Sequence, residues 1–266
     1  MSPARELLRP RWVVAHVVIL AVLITFPQLG MWQLDRWDEE KALAERIEAR
    51  VDGDPLALTD VLTVDGPTDP DASLDDLEFT PVDVTGTYLA DEEVAHRNRA
   101  LEGQAGFDWL TPLLLTGSGD DGTAILVRRG FVTATRAAGS EPTPAPPPTG
   151  TVTVTGWLEV SGSQPGFGPS DADDGVLDLV FQADVARLDQ QVSADLLPMV
   201  LHLRDQDPAQ PGILPVAQPV PEIDTTQNLS YAGQWFAFTA IAAIGYAIVL
   251  WRRLRHPEPP SDPSLV

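Results

Sequence analysis

Two long runs without a charged residue bracket this chain and constrain its fold more than any other feature. No Asp, Glu, Lys or Arg interrupts the sequence from Trp12 to Leu34, and none interrupts it from Thr225 to Trp251. A helix needs about 20 mostly apolar residues to cross a bilayer, and each run supplies them. The sequence therefore predicts two transmembrane helices, at residues 12–31 and 228–251, with one large domain between them.

Basic residues lie on the outer side of both runs: Arg5, Arg9 and Arg11 before the first, and Arg252, Arg253 and Arg255 after the second. Lys and Arg near the ends of membrane spans stay on the cytoplasmic side. We therefore expect a plasma-membrane protein with cytoplasmic tails at 1–11 and 252–266 and an extracytoplasmic domain at 32–227. A cleaved signal peptide fits the first run less well, because Leu29-Gly30-Met31-Trp32 is a poor cleavage site.

The central segment is strongly acidic and has no cysteine. Only three of the 39 acidic residues lie outside it, against six of the 17 basic residues. Such a surface repels nucleic acid and anionic lipid head groups, so we expect no nucleic-acid partner. It either attracts a basic partner or forms a solvated face. The absence of cysteine excludes disulfides, thiol catalysis and Cys-bound metals.

A helix is predicted at about 34–51, after which the apolar period changes to two. Alternating segments predict strands at 79–88, 93–97, 109–115, 123–132, 151–160 and 199–204, and residues 183–192 predict a short helix. Several short strands between Pro- and Gly-rich loops favour an antiparallel barrel or sandwich. The predicted fold class is a membrane-anchored α+β protein, with two transmembrane helices flanking one extracytoplasmic antiparallel β-barrel or sandwich domain.

The sequence contains no catalytic signature, and we expect no enzymatic activity and no metal site. The carboxylates are numerous and evenly spread, so none stands out as an acid/base pair. The four histidines are His16, His96, His202 and His256, and no two share a metal-ligand spacing. His96 and His202 fall on predicted strands, where structural or surface roles are expected.

His16 differs because it lies inside the first apolar run, where polar groups are costly and often functional. It follows Trp12 by four residues and so lies near the cytoplasmic interface. Three roles fit it: an axial haem ligand, a hydrogen bond to the second helix, and an interfacial side chain. Gln33 and Arg36, just outside the first span, fit either a grip on a haem propionate or partner, or anchoring at the interface.

Six motifs follow one another along the chain in a recognisable order. Gly30-Met31-Trp32-Gln33-Leu34-Asp35-Arg36 has the pattern G-x-W-Q-x-x-R, and Tyr231-Ala232-Gly233-Gln234-Trp235-Phe236 has the pattern Y-A-x-Q-W-F. Between them, Leu126-Val127-Arg128-Arg129-Gly130-Phe131-Val132 is similar to a V-N-R-G-W-V strand. With the segments at 81–88, 106–113 and 154–158, these motifs resemble the Surfeit locus protein 1 family of cytochrome c oxidase assembly factors.

The resemblance implies a chaperone of respiratory chain biogenesis that assists haem a insertion into the catalytic subunit of a haem-copper oxidase. Its partners would be that subunit, the lipid bilayer and the machinery of haem a synthesis, with haem a bound transiently. The cofactor-binding residues it implies are Gln33, Arg36, Asn228, Tyr231 and Trp235, with His16 as a further candidate. The motif or partner residues are Gly30, Trp32, Arg129, Gly130, Ala232 and Gln234.

The chain departs from the family pattern at two places. Asn228 occupies the position, three residues before Tyr231, where the family commonly has a histidine, and a carboxamide is a poor iron ligand. Either His16 supplies the ligand or this member holds an assembly intermediate without ligating haem. Glu39 and Glu40 replace a common aromatic-Lys pair. On the barrel, Arg129 fits a propionate contact or an ion pair with a carboxylate.

Overall fold

The computed structural model describes residues 7–117, 122–134, 146–163, 169–212 and 215–255. The chain forms two units. Residues 1–45 and 222–266 make up a helical unit, and residues 46–221 make up a β-rich unit. The outer parts of the predicted tails, with His256, lie outside the described residues.

Two long helices, α1 (Pro10–Arg50) and α4 (Thr226–Arg255), carry the two apolar runs. The sequence suggested a span at 12–31 followed by a separate helix at about 34–51, but α1 is continuous over 41 residues. No Gly or Pro lies between Met31 and Arg50 to end the helix, and its end comes just before Asp52-Gly53-Asp54-Pro55, where Gly and Pro disfavour further helix.

Both helices are long and apolar enough to cross a bilayer. Almost all of their apolar stretches are exposed to the surroundings of the protein. Exposed apolar surface of this extent marks contact with lipid or with another protein. The two helices therefore suggest membrane anchoring.

In the described part of the β-rich unit there are ten strands, two short α-helices and two 3-10 turns at Leu74–Leu77 and Ala90–Glu92. The first part contains β1 (Leu56–Ala57), α2 (Leu58–Val61), β2 (Leu62–Thr63), β3 (Gly66–Pro67), β4 (Pro81–Tyr88), β5 (Val94–Leu101) and β6 (Gln104–Leu115). The second part contains β7 (Thr123–Thr133), β8 (Thr151–Val160), β9 (Leu179–Val180), α3 (Val185–Leu188) and β10 (Asp195–Asp207). The six strands expected from the sequence all form, most of them longer than expected, whereas the helix expected at 183–192 is only the single turn of α3.

The sheet is mixed, which corrects the antiparallel barrel or sandwich expected from the sequence. Eight strands follow the order β1-β4-β8-β10-β7-β6-β5-β9, and β4 also pairs with β6 over three residues. The pairs β1–β4, β7–β10 and β5–β9 are parallel. The eight strands together do not form a closed barrel, because β1 and β9 end the order without a second strand partner among the described residues. The short pairing of β4 with β6 connects only the inner strands β4, β8, β10, β7 and β6 to one another. A parallel pair needs a long crossover, and more than 60 residues separate the end of β7 from the start of β10.

Both faces of β7 are covered, and this positions the polar site described below. Ile125 and Val127 belong to one buried apolar cluster, and Ala124 and Leu126 belong to another. Side chains alternate between the faces of a strand. Arg129 lies near Tyr88 of the first cluster, whereas Arg128 lines a cavity with Ala183 of the second, so these two consecutive arginines lie on opposite faces.

We expect Leu158→Ala to destabilise the β-rich unit strongly. Leu158 is 0% exposed in the first cluster, and truncation of a buried leucine leaves a cavity that costs about 2–5 kcal/mol. Urea unfolding of the full chain in detergent, followed by tryptophan fluorescence, measures the change. Leu56→Ala is the matched control, because Leu56 is 49% exposed and its loss should cost less than about 0.5 kcal/mol. Equal losses in the two variants would contradict this core assignment.

Candidate functional site

Side-chain contacts join α1 to α4 in reverse order along the helical unit. Near the start of α1, the hydroxyl of Tyr246 donates a hydrogen bond to Nδ1 of His16. Later in α1, Gly30 lies against the ring of Phe236, and a Cβ at Gly30 would come within 2.8 Å of that ring. Because later residues of α1 meet earlier residues of α4, the helices pack antiparallel. Gly30 therefore allows close approach of the pair.

Polar side chains contact one another at the end of this pair. Nδ2 of Asn228 donates to Oε2 of Glu40 at 2.6 Å. Nη1 of Arg36 donates to Oε2 of Glu39 at 2.8 Å, in an ion pair whose side chains are both more than half exposed. The Gln33 carbonyl oxygen is buried and accepts no hydrogen bond from the described residues. Two of the side chains implied as cofactor-binding, Arg36 and Asn228, thus have partners within the chain.

Two motif residues of α4 face α1. The ring of Trp235 packs against Phe26 with centroids 5.1 Å apart, at an interplanar angle of 65°. Edge-to-face aromatic pairs at this distance are favourable. Ala232 is buried, at 1% exposed. These side chains therefore serve the packing of the helix pair.

Three other motif residues face outward. Trp32 is 55% exposed and Tyr231 is 45% exposed, and Gln234 is exposed as well. Tyr and Trp combine an apolar ring with a polar tip and are enriched in protein interfaces and at membrane surfaces. These side chains are available to lipid or to a partner.

In the β-rich unit, Arg129 is fully buried and forms an ion pair with Glu93. Its guanidinium also lies 5.8 Å from the centre of the Tyr88 ring. The sequence left open whether Arg129 contacts a propionate or pairs with a carboxylate, and here it pairs. Gly130 follows with φ of 135°, and a Cβ there would collide with the carbonyl of Val216. Because glycine has no Cβ, the chain segment that contains Val216 can lie directly against the strand beside the two arginines.

On the opposite face, Arg128 is the centre of a buried polar network. Nη1 donates to Asp108 Oδ2 at 2.8 Å and Nη2 donates to Glu159 Oε2 at 2.7 Å. Glu159 also accepts a 2.6 Å hydrogen bond from Nε2 of His202, and Asp108 accepts one of 2.5 Å from Gln218. Arg128 is 3% exposed and Asp108 is 0% exposed. Removal of Arg128 would deprive the fully buried carboxylate of Asp108 of its buried counter-charge.

Two histidines border this network in neutral form. Nε2 of His96 donates to the carbonyl of Phe181 at 3.1 Å, so Nδ1 accepts from Arg128 at 3.0 Å. Burial, together with the charge of Arg128, lowers the pKa of His96 to about 4. Burial also lowers the pKa of His202, although its contact with Glu159 opposes that effect. The His202 ring stacks on Trp157 with centroids 4.8 Å apart.

No pattern noted in the sequence predicts this network. His96 and His202 were expected to be structural or surface residues, and both are buried, so the surface alternative is wrong. No sequence pattern distinguishes Asp108 and Glu159 from the many other carboxylates. The available signal was the pair at 128 and 129: two consecutive charges inside an otherwise apolar strand require buried counter-charges.

Neither His16 nor Asn228 fits axial ligation of haem iron. Nε2 of His16 donates to the carbonyl of Leu7 at 3.2 Å while Nδ1 accepts from Tyr246, so neither nitrogen offers a free lone pair. Asn228 has a carboxamide in place of an imidazole. Within the part of the chain that the structure describes, no group of three or more His, Asp or Glu could hold a metal ion.

This protein belongs to the class of chains in which two apolar terminal helices flank a β-rich domain, here with two consecutive buried arginines in an inner strand. Comparison with known families shows which family of this class it belongs to. The SURF1 family model matches residues 20–240, which comprise most of α1, the first half of α4 and the whole domain between them. The chain belongs to the SURF1 family.

Known relatives extend over most of the chain. An uncharacterized SURF1-like protein of Mycobacterium tuberculosis is 30% identical over 94% of this chain and 87% of its own length. Surfeit locus protein 1 of Xenopus tropicalis is 28% identical over 90% of this chain and 76% of its own length. The Saccharomyces cerevisiae protein named cytochrome oxidase assembly protein SHY1 is 26% identical over 46% of this chain and 30% of its own length.

The neutral histidines predict that acid destabilises the β-rich unit. An unfolded histidine gains a proton below about pH 6.5, whereas His96 in the folded chain does so only near pH 4. Between these values the unfolded chain binds more protons, so stability falls as pH falls, by about 2 kcal/mol from pH 7 to 5 for His96 alone. Burial raises the pKa of Glu159, but His202 and Arg128 outweigh it and hold that pKa far below 4.5, so its contribution is lost only in stronger acid.

Urea unfolding of the wild type and of His96→Gln at pH 7 and pH 5 tests this. Glutamine can donate to Phe181 and accept from Arg128, but it does not titrate. The variant should therefore lose about 2 kcal/mol less than the wild type between the two pH values. An equal loss in both proteins would show that His96 is not buried in neutral form.

Proposed function

We propose that this protein is an assembly factor for a haem-copper terminal oxidase of the cytochrome c oxidase type. The observation that carries the proposal is the family match, which spans residues 20–240 and so includes the domain and part of each helix. A yeast relative that matches part of this chain is named as a cytochrome oxidase assembly protein. In this proposal the protein is a chaperone without catalytic activity of its own.

Its partner is the catalytic subunit of the oxidase, bound through the helical unit. Trp32 and Tyr231 are exposed, whereas Trp235 and Ala232 hold the helix pair together. Exposed aromatic side chains beside a bilayer supply large contact area at low entropic cost, and such residues often dominate binding. The helix pair thus has an inner face that packs and an outer face that can dock.

We further propose that the protein assists haem a insertion without ligating the iron. The support comes from the two positions where the chain departs from the family pattern. Asn228 replaces the usual histidine and Glu40 replaces the usual lysine, and the two side chains bind each other at 2.6 Å. The pair replaces a potential iron ligand with an internal hydrogen bond. The protein would then keep the catalytic subunit in a state that can accept haem a from the machinery of haem a synthesis.

The proposed location is the plasma membrane, with both termini cytoplasmic and the β-rich unit outside. Arg9 and Arg11 lie at the start of α1, and Arg252, Arg253 and Arg255 lie in the last turn of α4. Basic residues near span ends favour the cytoplasmic side.

We expect the double variant Trp32→Ala, Tyr231→Ala to lower the amount of assembled oxidase while the protein stays in the membrane. Loss of aromatic anchors at an interface costs about 2 kcal/mol or more, which weakens docking by about tenfold or more. The assay is the oxidase content of membranes from a strain that lacks the native copy and expresses the variant. Immunoblotting of the same membranes measures the variant itself.

Trp251→Ala is the matched control, because Trp251 is 51% exposed on the same helix as Tyr231 but outside the motif. It should leave oxidase content unchanged. Wild-type oxidase content in the double variant would exclude docking through these side chains. If deletion of the whole protein also left oxidase content unchanged, the assembly function itself would be wrong.

A further inference from the structure

A cavity of about 350 Å³ lies beside β5 in the β-rich unit, and it concentrates positive charge within a chain of net charge −22. We propose that this cavity binds a small anion that carries a carboxylate or phosphate group. The proposal goes beyond oxidase assembly and does not depend on it. All lining residues that the argument uses belong to the β-rich unit.

An irregularity in β5 builds the cavity. The pairing of β5 with β6 shifts register between His96 and Arg99, and Asn98 has a left-handed φ of 61°. A regular strand would send alternate side chains to opposite faces. Here the four consecutive residues from His96 to Arg99 all line the same cavity. Bulges re-aim side chains in this way and are frequent beside functional sites, where strained backbone is often retained.

The bulge leaves one arginine without a carboxylate. Arg97 lies over the ring of Phe181, with its guanidinium carbon 4.2 Å from the ring centre. Its Nε is buried and has no hydrogen-bond acceptor among the described residues, and it forms no ion pair with them. Buried polar groups are nearly always paired, so a donor placed here points to an acceptor that the chain does not itself supply.

Two further arginines bring positive charge to the same cavity. Arg99 donates from Nε to Asp108 at 2.9 Å, and its side chain is 39% exposed. Arg128 lies deeper, between Asp108 and Glu159. A third carboxylate, that of Asp171, accepts hydrogen bonds from the backbone N–H groups of Phe181 and Gln182 in the cavity wall, and His96 is neutral at pH 7. Of the three arginines that line the cavity, Arg97 is the one that has no carboxylate partner among the described residues.

The residues that line the cavity determine which class of ligand it can bind. Planar guanidinium groups bind carboxylate and phosphate through paired hydrogen bonds. The carboxylates of Asp108 and Glu159 are already bound to Arg128 and Arg99, so a cation would have no free ligands here. Phe181, Val160 and Pro169 add apolar wall, and the volume is within the range of small-molecule sites. The ligand is therefore a small organic anion or phosphate.

Isothermal titration calorimetry on the full chain in detergent, at low salt, tests the proposal. Sodium phosphate and sodium succinate serve as separate probes, and whichever binds identifies the group that the site accepts. We expect saturable binding of at least one probe, weakened at least tenfold in Arg97→Gln. Among the described residues Arg97 contacts the Phe181 ring and forms no ion pair, so the variant should keep the wild-type urea midpoint.

Arg46→Gln is the control, since Arg46 is partly exposed and pairs with Glu78 outside this cavity. It should bind the probe as tightly as the wild type. No saturable binding of either probe would overturn the proposal. Equal weakening in Arg97→Gln and Arg46→Gln would also overturn it, because the effect would then be one of general surface charge.

Discussion

Arg128 and Arg129 are consecutive in an inner strand whose two faces are both covered, and the rest of the β-rich unit depends on how their charges are compensated. Each guanidinium loses its hydration and needs a carboxylate. Asp108 and Glu159 serve Arg128, and Glu93 serves Arg129. Loss of one partner from such a buried pair costs about 3–5 kcal/mol. These contacts link β7 to β6, to β8 and to the residue just before β5.

The helical unit and the β-rich unit differ in the kind of side chains that they bury and expose. In the helical unit the contacts that hold α1 and α4 together use a glycine, aromatic rings and a few internally satisfied polar groups, and the outward face remains apolar and aromatic. In the β-rich unit charged side chains are buried inside the sheet, and Arg97, at the β5 bulge, has no carboxylate partner among the described residues. A docking role fits the first unit, and recognition of a small anion fits the second.

Local periodicity was enough to predict six strands, because alternation of apolar residues is a property of each segment alone. It could not reveal β1 and β9, which have two residues each, or the parallel pairing of β7 with β10, which depends on contacts between distant segments. The ion pair between Arg129 and Glu93 could not be predicted for the same reason, because the two residues are far apart along the chain. The continuous α1 was divided in two because hydropathy falls after Leu34, although nothing there breaks a helix.

The motifs located the residues of the helix pair but not their contacts. Gly30 and Ala232 pack, Trp32 and Tyr231 face outward, and spacing alone could not separate these roles. The contact between Glu40 and Asn228 was also hidden, although both positions had been noted as departures from the family pattern. Their hydrogen bond shows that the two departures are one structural feature.

The most direct test of docking without iron ligation is an absorption spectrum. The protein should be purified from a host that makes haem a but lacks the oxidase catalytic subunit, so that any haem a band belongs to this chain. We predict no such band for the wild type, and a band in Asn228→His, where an imidazole returns to the family position. A haem a band in the wild type that disappears in His16→Ala would contradict docking without iron ligation and make this protein a haem carrier.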